Sequence, residues 1–435
     1  MKYFLLGFYE FAKTLVKTMF RIFYSKSVVI NQEQLDFKNP CIAISNHPST
    51  LTDPLHVAKN IRKQVFFLAN AGLFKSAIGG WFFNTFYCIP VERPKDVAGR
   101  RIQNDKAFER CDQHLGQGGC LYIAAQGYSQ MVRRLGHPLK TGTARIALSA
   151  ESNNNFNLGL TIVPVGLSYS HPTDFRTGII INAGEHLKVA DYKTAYANDP
   201  IKTVRQLTKD LEDRLRTLLI ETDDEEEELL IVRMEKIVHA KAPLQLEENF
   251  LRTQKLARQF RQLKTTESIH YQQLKTKTTE HFEQLDKLAV TPRAVFAKAN
   301  SFTDLLTLII GLPFFLYGWI NNFIPNFIPA FLVKIINIYA GYASTIKLMS
   351  ALLIYPIFYG IQICLVQYFF SNKWITLAYV ISLPIFGLLA WAYRKKYIRF
   401  KEVMHWNKKR KEHESETDQI LDRQEVLAEE LGRLA

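Results

Sequence analysis

A histidine and a carboxylate follow an apolar run with five residues between them. His47 and Asp53 come directly after the segment 41–44, which has the composition of a buried strand. An imidazole at a strand end can meet a carboxylate in the next turn, and the carboxylate then holds the ring in one tautomer. A ring held in this way can remove a proton from a hydroxyl group. The pair therefore predicts base-assisted attack by an alcohol, although an ordinary capping turn uses the same residue types.

Three further stretches follow this turn in a fixed order. They read WFFNTFYCIPVER at 81–93, YIAAQGYSQMVRRLGHPLKTGTARIAL at 122–148 and IVPVGL at 162–167. Together with the first turn they resemble the four blocks of the glycerolipid acyltransferase family, over about residues 28–189. Members of this family move a fatty acyl group from a thioester to glycerol-3-phosphate or to a lysophosphatidate.

The resemblance implies roles for particular residues. His47 matches the catalytic base of the family and Asp53 matches the carboxylate that orients it. Arg93, which follows Ile89-Pro90-Val91, matches the arginine that binds the acceptor phosphate. The spacing of five residues between His47 and Asp53 resembles the branch that acylates glycerol-3-phosphate or dihydroxyacetone phosphate.

The third block departs from the family pattern. The usual Pro-Glu-Gly, with a serine two residues on, is here Ala125-Gln126-Gly127-Tyr128-Ser129. Gly127 and Ser129 match, whereas an amide at Gln126 replaces the glutamate that contacts the acceptor hydroxyl. Main-chain amides near Gly127 are candidates for stabilising an oxyanion, since glycine allows close approach. We expect the substrate-binding residues to be Arg93, Gln126, Gly127, Ser129 and Lys140.

The acceptor remains open at this point. An acceptor without phosphate, such as a single-chain or amino-acid lipid, and a catalytically degenerate lipid-binding protein are both compatible with Gln126. The joint presence of His47, Asp53, Arg93 and Gly127 favours an enzyme. Its co-substrate would be an acyl thioester of coenzyme A or of acyl carrier protein, and we expect no metal and no other cofactor.

The elements that must position these residues alternate along the chain. Strand-like runs lie at 41–45, 65–69, 86–90, 120–125, 161–167 and 178–182, and helical patterns at 97–115 and 142–150. This alternation predicts an α/β fold with a mostly parallel sheet flanked by helices. In such sheets ligands collect at the carboxyl ends of the strands, where His47 and Gln126 both lie.

Size and charge restrict the possible partners. The chain has 435 residues and a formal net charge of +14, which is typical of proteins that meet nucleic acid or an anionic membrane. No zinc spacing and no glycine-rich or stacking-aromatic motif supports nucleic acid, so the membrane is the expected partner. The five cysteines lack paired spacing and indicate buried small side chains in a reducing compartment.

The chain divides by composition into five parts. We expect an amphipathic, membrane-associating helix at 1–27, although packing on the domain would explain the same pattern. The acyltransferase domain is expected at 28–190 and a charged helical region at 191–300. Transmembrane helices should occupy 301–395, and a charged cytoplasmic tail 396–435.

The apolar region predicts two to four membrane spans. Segments 351–370 and 374–393 are each about long enough to cross a bilayer and should form a tight hairpin. Segments 305–320 and 323–338 are shorter and contain prolines, which favours a second hairpin or a re-entrant pair. An even number of crossings, with the basic residues 394–399 on the cytoplasmic flank, places the catalytic domain in the cytoplasm.

Overall fold

The computed structural model describes residues 2–93, 102–297 and 301–435, which form two compact units. The sheet unit comprises Met1–Glu221 together with the short segment Tyr339–Thr345. The helical unit comprises Thr222–Ile338 and Ile346–Ala435. We call Tyr339–Thr345 the return segment, because the chain comes back to the sheet unit there after a long excursion.

The sheet unit is built on one eight-stranded sheet. Its strands run in the order β1-β7-β6-β2-β5-β3-β4, and β8 pairs with β6. The strands are β1 Tyr24–Ile30, β2 Cys41–Ser45, β3 Val65–Asn70, β4 Cys88–Val91, β5 Cys120–Ala124, β6 Thr161–Tyr169, β7 Thr177–Ala183 and β8 Leu187–Lys188. All pairings are parallel except those of β6 with β7 and β8. The predicted mostly parallel α/β sheet is confirmed, while β1 lies in a stretch that the sequence did not predict as a strand.

Seven helices accompany the sheet in the described part of this unit. They are α1 Lys2–Phe23, α2 Thr52–Ala58, α3 Ala77–Thr85, α4 Asp105–Gly116, α5 Gly142–Asn153, α6 Lys193–Asn198 and α7 Pro200–Thr217. All five residues of β2 are buried, and Ile42 and Ile44 lie in one core cluster with apolar residues of α4, α5 and α7. A continuous apolar strand is what burial on both faces of a sheet requires. The predicted helix 97–115 begins only at Asp105 in the structure, and residues 97–101 lie outside the described part.

Helix α1 serves two environments. Tyr9, Phe20 and Phe23 are buried against the sheet unit, whereas Tyr3 and Phe11 are largely exposed. One face of the helix thus packs on the domain, as one interpretation of the N-terminal pattern predicted, while membrane association of the exposed face stays a prediction.

The helical unit contains the remaining helices. They are α8 Glu225–Lys241, α9 Leu246–Thr266, α10 Ser268–Lys287, α11 Pro292–Val295, α12 Ser301–Ile336, α13 Ala343–Phe370, α14 Lys373–Glu412 and α15 Glu414–Leu434. The acidic run begins α8, where the Asp224 carboxylate accepts the Glu227 amide at 2.8 Å as an N-cap. The tail folds back as α15, and the buried His281 imidazole of α10 meets the Gln424 amide of α15 at 3.1 Å.

Three apolar helices are long enough to cross a membrane within the described ranges. The prediction of two short helices at 305–320 and 323–338 was wrong, because α12 continues through Pro313, Pro325 and Pro329. A proline at 325 cannot donate to the carbonyl of Asn321, and the Gln362 amide donates to that oxygen instead at 3.1 Å. A side chain from α13 therefore replaces the bond that would otherwise be lost.

A polar cluster joins the three apolar helices. The Asn322 amide on α12 is buried and donates to the carbonyls of Gly318 at 2.9 Å and Leu383 at 3.2 Å. Its oxygen accepts the Tyr359 hydroxyl of α13 at 2.6 Å. Leu383 lies on α14, so one side chain contacts all three helices. Such bonds hold apolar helices together where the surroundings supply no hydrogen-bond partner.

The cysteines are all free in the structure. Cys41, Cys111 and Cys120 are buried, as predicted for small apolar side chains. Cys364 is exposed on α13, where the prediction of burial was wrong because this helix presents its apolar side chains outward.

Candidate active site

Two predicted site residues leave neighbouring strands at the same edge of the sheet. Strand β2 ends at Ser45, which pairs with Ala124 at the end of β5. His47 and Gln126 follow these two ends within two residues. The intervening Asn46 is buried, and its amide exchanges two hydrogen bonds with the main chain of Leu167 on β6, at 2.9 and 2.8 Å. This pairing fixes the direction in which the chain leaves β2.

The predicted histidine and carboxylate are in direct contact. The His47 Nδ1 lies 2.8 Å from the Asp53 Oδ2. Asp53 lies in the first turn of α2 and is fully buried, whereas 18% of the His47 side chain is exposed. With Nδ1–H donating to the carboxylate, Nε2 carries the lone pair. The geometry provides a base whose reactive nitrogen is the one not bound to Asp53.

Two further donors hold the carboxylate. The Ser49 amide donates to Oδ2 at 2.7 Å, and the Tyr169 hydroxyl donates to Oδ1 at 2.6 Å. A buried carboxylate needs such partners to stay ionised, because burial alone penalises its charge. Asp53 therefore accepts three hydrogen bonds and is held rigidly beside the imidazole.

Tyr169 is a site residue that the sequence analysis missed. It ends β6, two residues after the IVPVGL block. Burial, and then the charge of Asp53, raises the pKa of the Tyr169 hydroxyl well above its ordinary value. The group thus remains a protonated donor. Its position at a strand end, at the same edge as His47, was the available signal.

The second and third blocks meet at Gly127. The Arg93 Nη1 donates to the Gly127 carbonyl at 3.3 Å. Gly127 has a φ of +81°, a conformation in which a side chain would be strained. Lys140 lies on the other side, since its Cγ is 3.5 Å from where a Cβ of residue 127 would stand. The structure therefore brings the guanidinium and the stem of Lys140 to one glycine turn.

Gln126 is buried and bonded to the main chain. Its Oε1 accepts the His47 amide at 3.2 Å, and its Nε2 donates to the His137 carbonyl at 3.5 Å. A glutamate could replace the acceptor but could not donate to a carbonyl. The amide at this position thus has a role within the fold, which is to join the turn after β2 to the turn after β5. Contact of Gln126 with a substrate stays a prediction.

The return segment supports the turn that joins His47 to Asp53. Thr50 in this turn has a φ of +45°, an uncommon conformation for threonine. Its hydroxyl donates to the Gly341 carbonyl at 3.2 Å and lies 2.9 Å from the Thr345 hydroxyl. Its amide donates to the Ser129 Oγ at 3.4 Å. Ser129 therefore buttresses the turn together with residues that lie about 290 positions further along the chain.

Within residues 2–93, 102–297 and 301–435, no group of three or more His, Cys, Asp or Glu side chains is placed to hold a metal ion.

Comparison with known proteins agrees with this site. Residues 26–168 match the family model described as Acyltransferase. Over 116 residues, 26% of this chain and 15% of the relative, the sequence is 32% identical to glycerol-3-phosphate O-acyltransferase 2 of Saccharomyces cerevisiae. It is 28% identical over 115 residues to glycerol-3-phosphate O-acyltransferase 1 of the same yeast, again covering 26% and 15%. The chain thus spans about a sixth of the length of these curated relatives.

One solved structure is also similar. The 1-acyl-sn-glycerophosphate acyltransferase PlsC from Thermotoga maritima aligns with a TM-score of 0.33 and 18% identity, covering 49% of this chain and 80% of that one. The matched region 26–168 contains both members of the His47–Asp53 pair, Arg93 and the Gln126–Ser129 turn. Residues 26–168 are thus similar to the acyltransferase family, as the sequence blocks predicted.

Proposed function

We propose that the protein is a membrane-bound O-acyltransferase of phospholipid synthesis. It would move a fatty acyl group from an acyl thioester to a hydroxyl of glycerol-3-phosphate, dihydroxyacetone phosphate or lysophosphatidate. The observation that carries the proposal is the contact of 2.8 Å between His47 and a buried, triply bonded Asp53 at the edge of a parallel sheet.

The chemistry follows from the two ring nitrogens of His47. Nε2 takes the proton of the acceptor hydroxyl while the oxygen attacks the thioester carbonyl and forms a tetrahedral oxyanion. Collapse of this intermediate expels the thiolate, which recovers the proton from the imidazolium. Asp53 stabilises the charged ring throughout, since its carboxylate stays bonded to Nδ1–H. General base assistance of this kind contributes a factor of about 10² to 10⁴ in rate.

The neighbouring groups suit an anionic acceptor. Arg93, which contacts the Gly127 turn, presents a guanidinium that can bind phosphate through two parallel hydrogen bonds. Lys140 adds a second cation at the same turn. The Gly127 amide itself donates to the Ala124 carbonyl at 2.9 Å, so the main-chain amides that follow Gly127 in the turn are the groups we assign to the oxyanion.

A phosphate-bearing acceptor also agrees with the yeast relatives, whose names specify glycerol-3-phosphate. The replacement of the family glutamate by Gln126 does not argue for a degenerate site, because the amide is used within the fold. The position of the Arg93 guanidinium at the Gly127 turn favours a phosphate-bearing acceptor over one without phosphate.

An acceptor panel tests the proposal. The full chain, purified in neutral detergent, is given labelled acyl-coenzyme A or acyl-carrier protein with each of the three phosphate acceptors and with a phosphate-free single-chain lipid. We expect transfer to at least one phosphate acceptor, and loss of it in His47→Ala. The exposed His171 gives the matched control His171→Ala, which should retain activity. Undiminished transfer by His47→Ala would refute the mechanism.

We further propose that the protein is a multi-pass membrane protein whose catalytic domain faces the cytoplasm. Between Glu221 and α12 the sequence has no apolar run of about 20 residues, so α12 begins on the side of the sheet unit. We take α13 and α14 as a crossing pair, which places the basic flank 394–399 on the cytoplasmic side. The exposed face of α1 would contact lipid headgroups.

Cysteine labelling tests this topology. In a cysteine-free background, Ser371→Cys between α13 and α14 should react with an impermeant maleimide only from the non-cytoplasmic face. Lys411→Cys, near the end of α14, is the matched position and should react only from the cytoplasmic face. Labelling of both positions from the same face would contradict two crossings.

A further inference from the structure

A cleft between α11 and α14 collects positive charge. It has a volume of about 270 Å³ and lies entirely within the helical unit. Four cationic side chains line it, namely Arg293, Arg394, Lys395 and Arg399, against the one carboxylate of Glu402. A cleft with this excess of cations attracts an anion of matching size.

The protein supplies one carboxylate, that of Glu402, for the four cations of this cleft. Within the described residues none of them forms an ion pair, whereas the adjacent Lys396 lies 3.3 Å from the Asp304 carboxylate. Burial, followed by the positive charge of Arg399, lowers the pKa of Arg293. Since a guanidinium keeps its proton, this environment is electrostatically unfavourable until an anion enters.

The cleft is at the boundary between apolar and polar sequence. The apolar segment 374–393 of α14 ends directly before Arg394. Trp391 also lines the cleft, and its ring lies 5.3 Å from the Lys395 ammonium. Tryptophan and basic residues together are typical of the level of lipid headgroups in a membrane.

We propose that this cleft binds the phosphate of an anionic glycerophospholipid. The guanidinium groups of Arg293, Arg394 and Arg399 would hold the phosphate oxygens, and Trp391 would face the glycerol and upper acyl region. The site would hold the base of α14 at the membrane surface. It is separate from the His47–Asp53 pair, and its test does not depend on the proposed activity.

Binding to the full chain in neutral detergent tests the proposal. Labelled short-chain phosphatidylglycerol is titrated and its binding measured by equilibrium dialysis, with phosphatidylcholine as the uncharged comparison. The double variant Arg394→Gln with Arg399→Gln should bind phosphatidylglycerol roughly tenfold more weakly. The matched control, Lys408→Gln with Lys411→Gln, removes two charges from the same helix about 20 Å further on. This control should bind about as well as the parent protein.

A variant at Arg293 distinguishes binding in the cleft from binding to the basic surface of α14 alone. Arg293→Gln changes α11 and leaves α14 intact, so a several-fold loss of affinity supports binding between the two helices. It also carries the test if the double variant does not elute as a folded protein. Equal losses in the Lys408 and Lys411 control would indicate non-specific charge and overturn the proposal. Equal binding of phosphatidylcholine, or displacement by millimolar inorganic phosphate, would overturn a site for anionic lipid.

Discussion

The sheet unit and the apolar helices bury polar side chains in opposite settings. In the sheet unit the apolar strands lie inside and Asp53 is buried at their ends, whereas α13 exposes its apolar Leu353 and Phe369 and Asn322 of α12 is buried. Both clusters satisfy their buried polar atoms, as any interior of low polarity requires. The difference is that Asp53 binds only one ring nitrogen of His47, and the proposed mechanism uses the other, whereas Asn322 uses both its amide and its oxygen within the protein. The first arrangement suits chemistry and the second suits assembly.

The largest effect should come from removing the charge beside His47. Asp53→Asn would present an amide to Nδ1 and would no longer stabilise the imidazolium, so kcat should fall by about 10² to 10⁴. The thermal midpoint of unfolding should stay close to that of the parent protein, so the loss of kcat would not reflect unfolding. Steady-state assays with the preferred acceptor measure the first quantity and calorimetry the second. Near-normal turnover of Asp53→Asn would show that the Asp53 cluster, like the Asn322 cluster, only stabilises the structure.

A smaller catalytic effect is expected from Tyr169→Phe. The change removes one of the three donors to Asp53, and a single hydrogen bond of this type contributes about 0.5–1.5 kcal/mol. We therefore expect kcat to fall roughly 2- to 10-fold with KM nearly unchanged, since Tyr169 contacts Asp53 rather than the open side of His47. Tyr196→Phe on α6, away from Asp53, is the matched control and should leave both constants as they are.

Loss of the Asn322 side-chain amide should lower the stability of the apolar helices and leave catalysis largely unchanged. Asn322→Leu removes the bonds that join α12 to α13 and α14, at a cost of about 0.6–1.7 kcal/mol for each. The expected result is a lower thermal midpoint in detergent, with kcat much less affected than in Asp53→Asn. The exposed Ile361 of α13 provides the control Ile361→Leu, which should keep the midpoint of the parent protein. A normal midpoint in Asn322→Leu would show that the cluster does not hold the helices.

The smallest effect at neutral pH concerns a second histidine of the sheet unit. His56 is fully buried, its ring nitrogens have no hydrogen-bond partner, and it stacks on Phe20 with centroids 4.0 Å apart. Burial lowers its pKa well below the ordinary value of 6.5. Below pH 6.5 the unfolded chain therefore binds a proton at His56 that the folded chain does not bind. The free energy of unfolding has its full value above pH 6.5 and falls as the pH decreases.

His56→Phe should remove this acid sensitivity. The free energy of unfolding of the parent protein should decline by up to about 1.4 kcal/mol per pH unit below 6.5 through this residue, and the phenylalanine variant should lack that part of the slope. Denaturant midpoints at pH 7.5 and 5.5 measure the difference. The two proteins should nearly coincide at pH 7.5, and parallel losses at pH 5.5 would contradict a neutral, unpaired ring.

Local pattern was sufficient for the strands and for the His47–Asp53 turn, because each depends on residues close together in sequence. It failed where a distant side chain decides the outcome. Tyr169 reaches Asp53 from 116 positions away, and α12 stays continuous because Gln362 replaces a lost main-chain donor. Strand β1 was missed because Ser25, Lys26 and Ser27 interrupt its apolar pattern, and only the β1–β7 pairing makes it a strand.

Through the return segment, the conformation of the turn between His47 and Asp53 depends on the detergent or lipid that surrounds the apolar helices. Thr50 is held by Gly341 and Thr345, which are continuous with helix α13. A harsh detergent that splays the helices apart would pull on this anchor and release Thr50 from its strained backbone, while the sheet stayed intact. The choice of detergent for extraction would then determine how much activity remains after purification. Reconstitution of the protein into a bilayer would restore the lost activity.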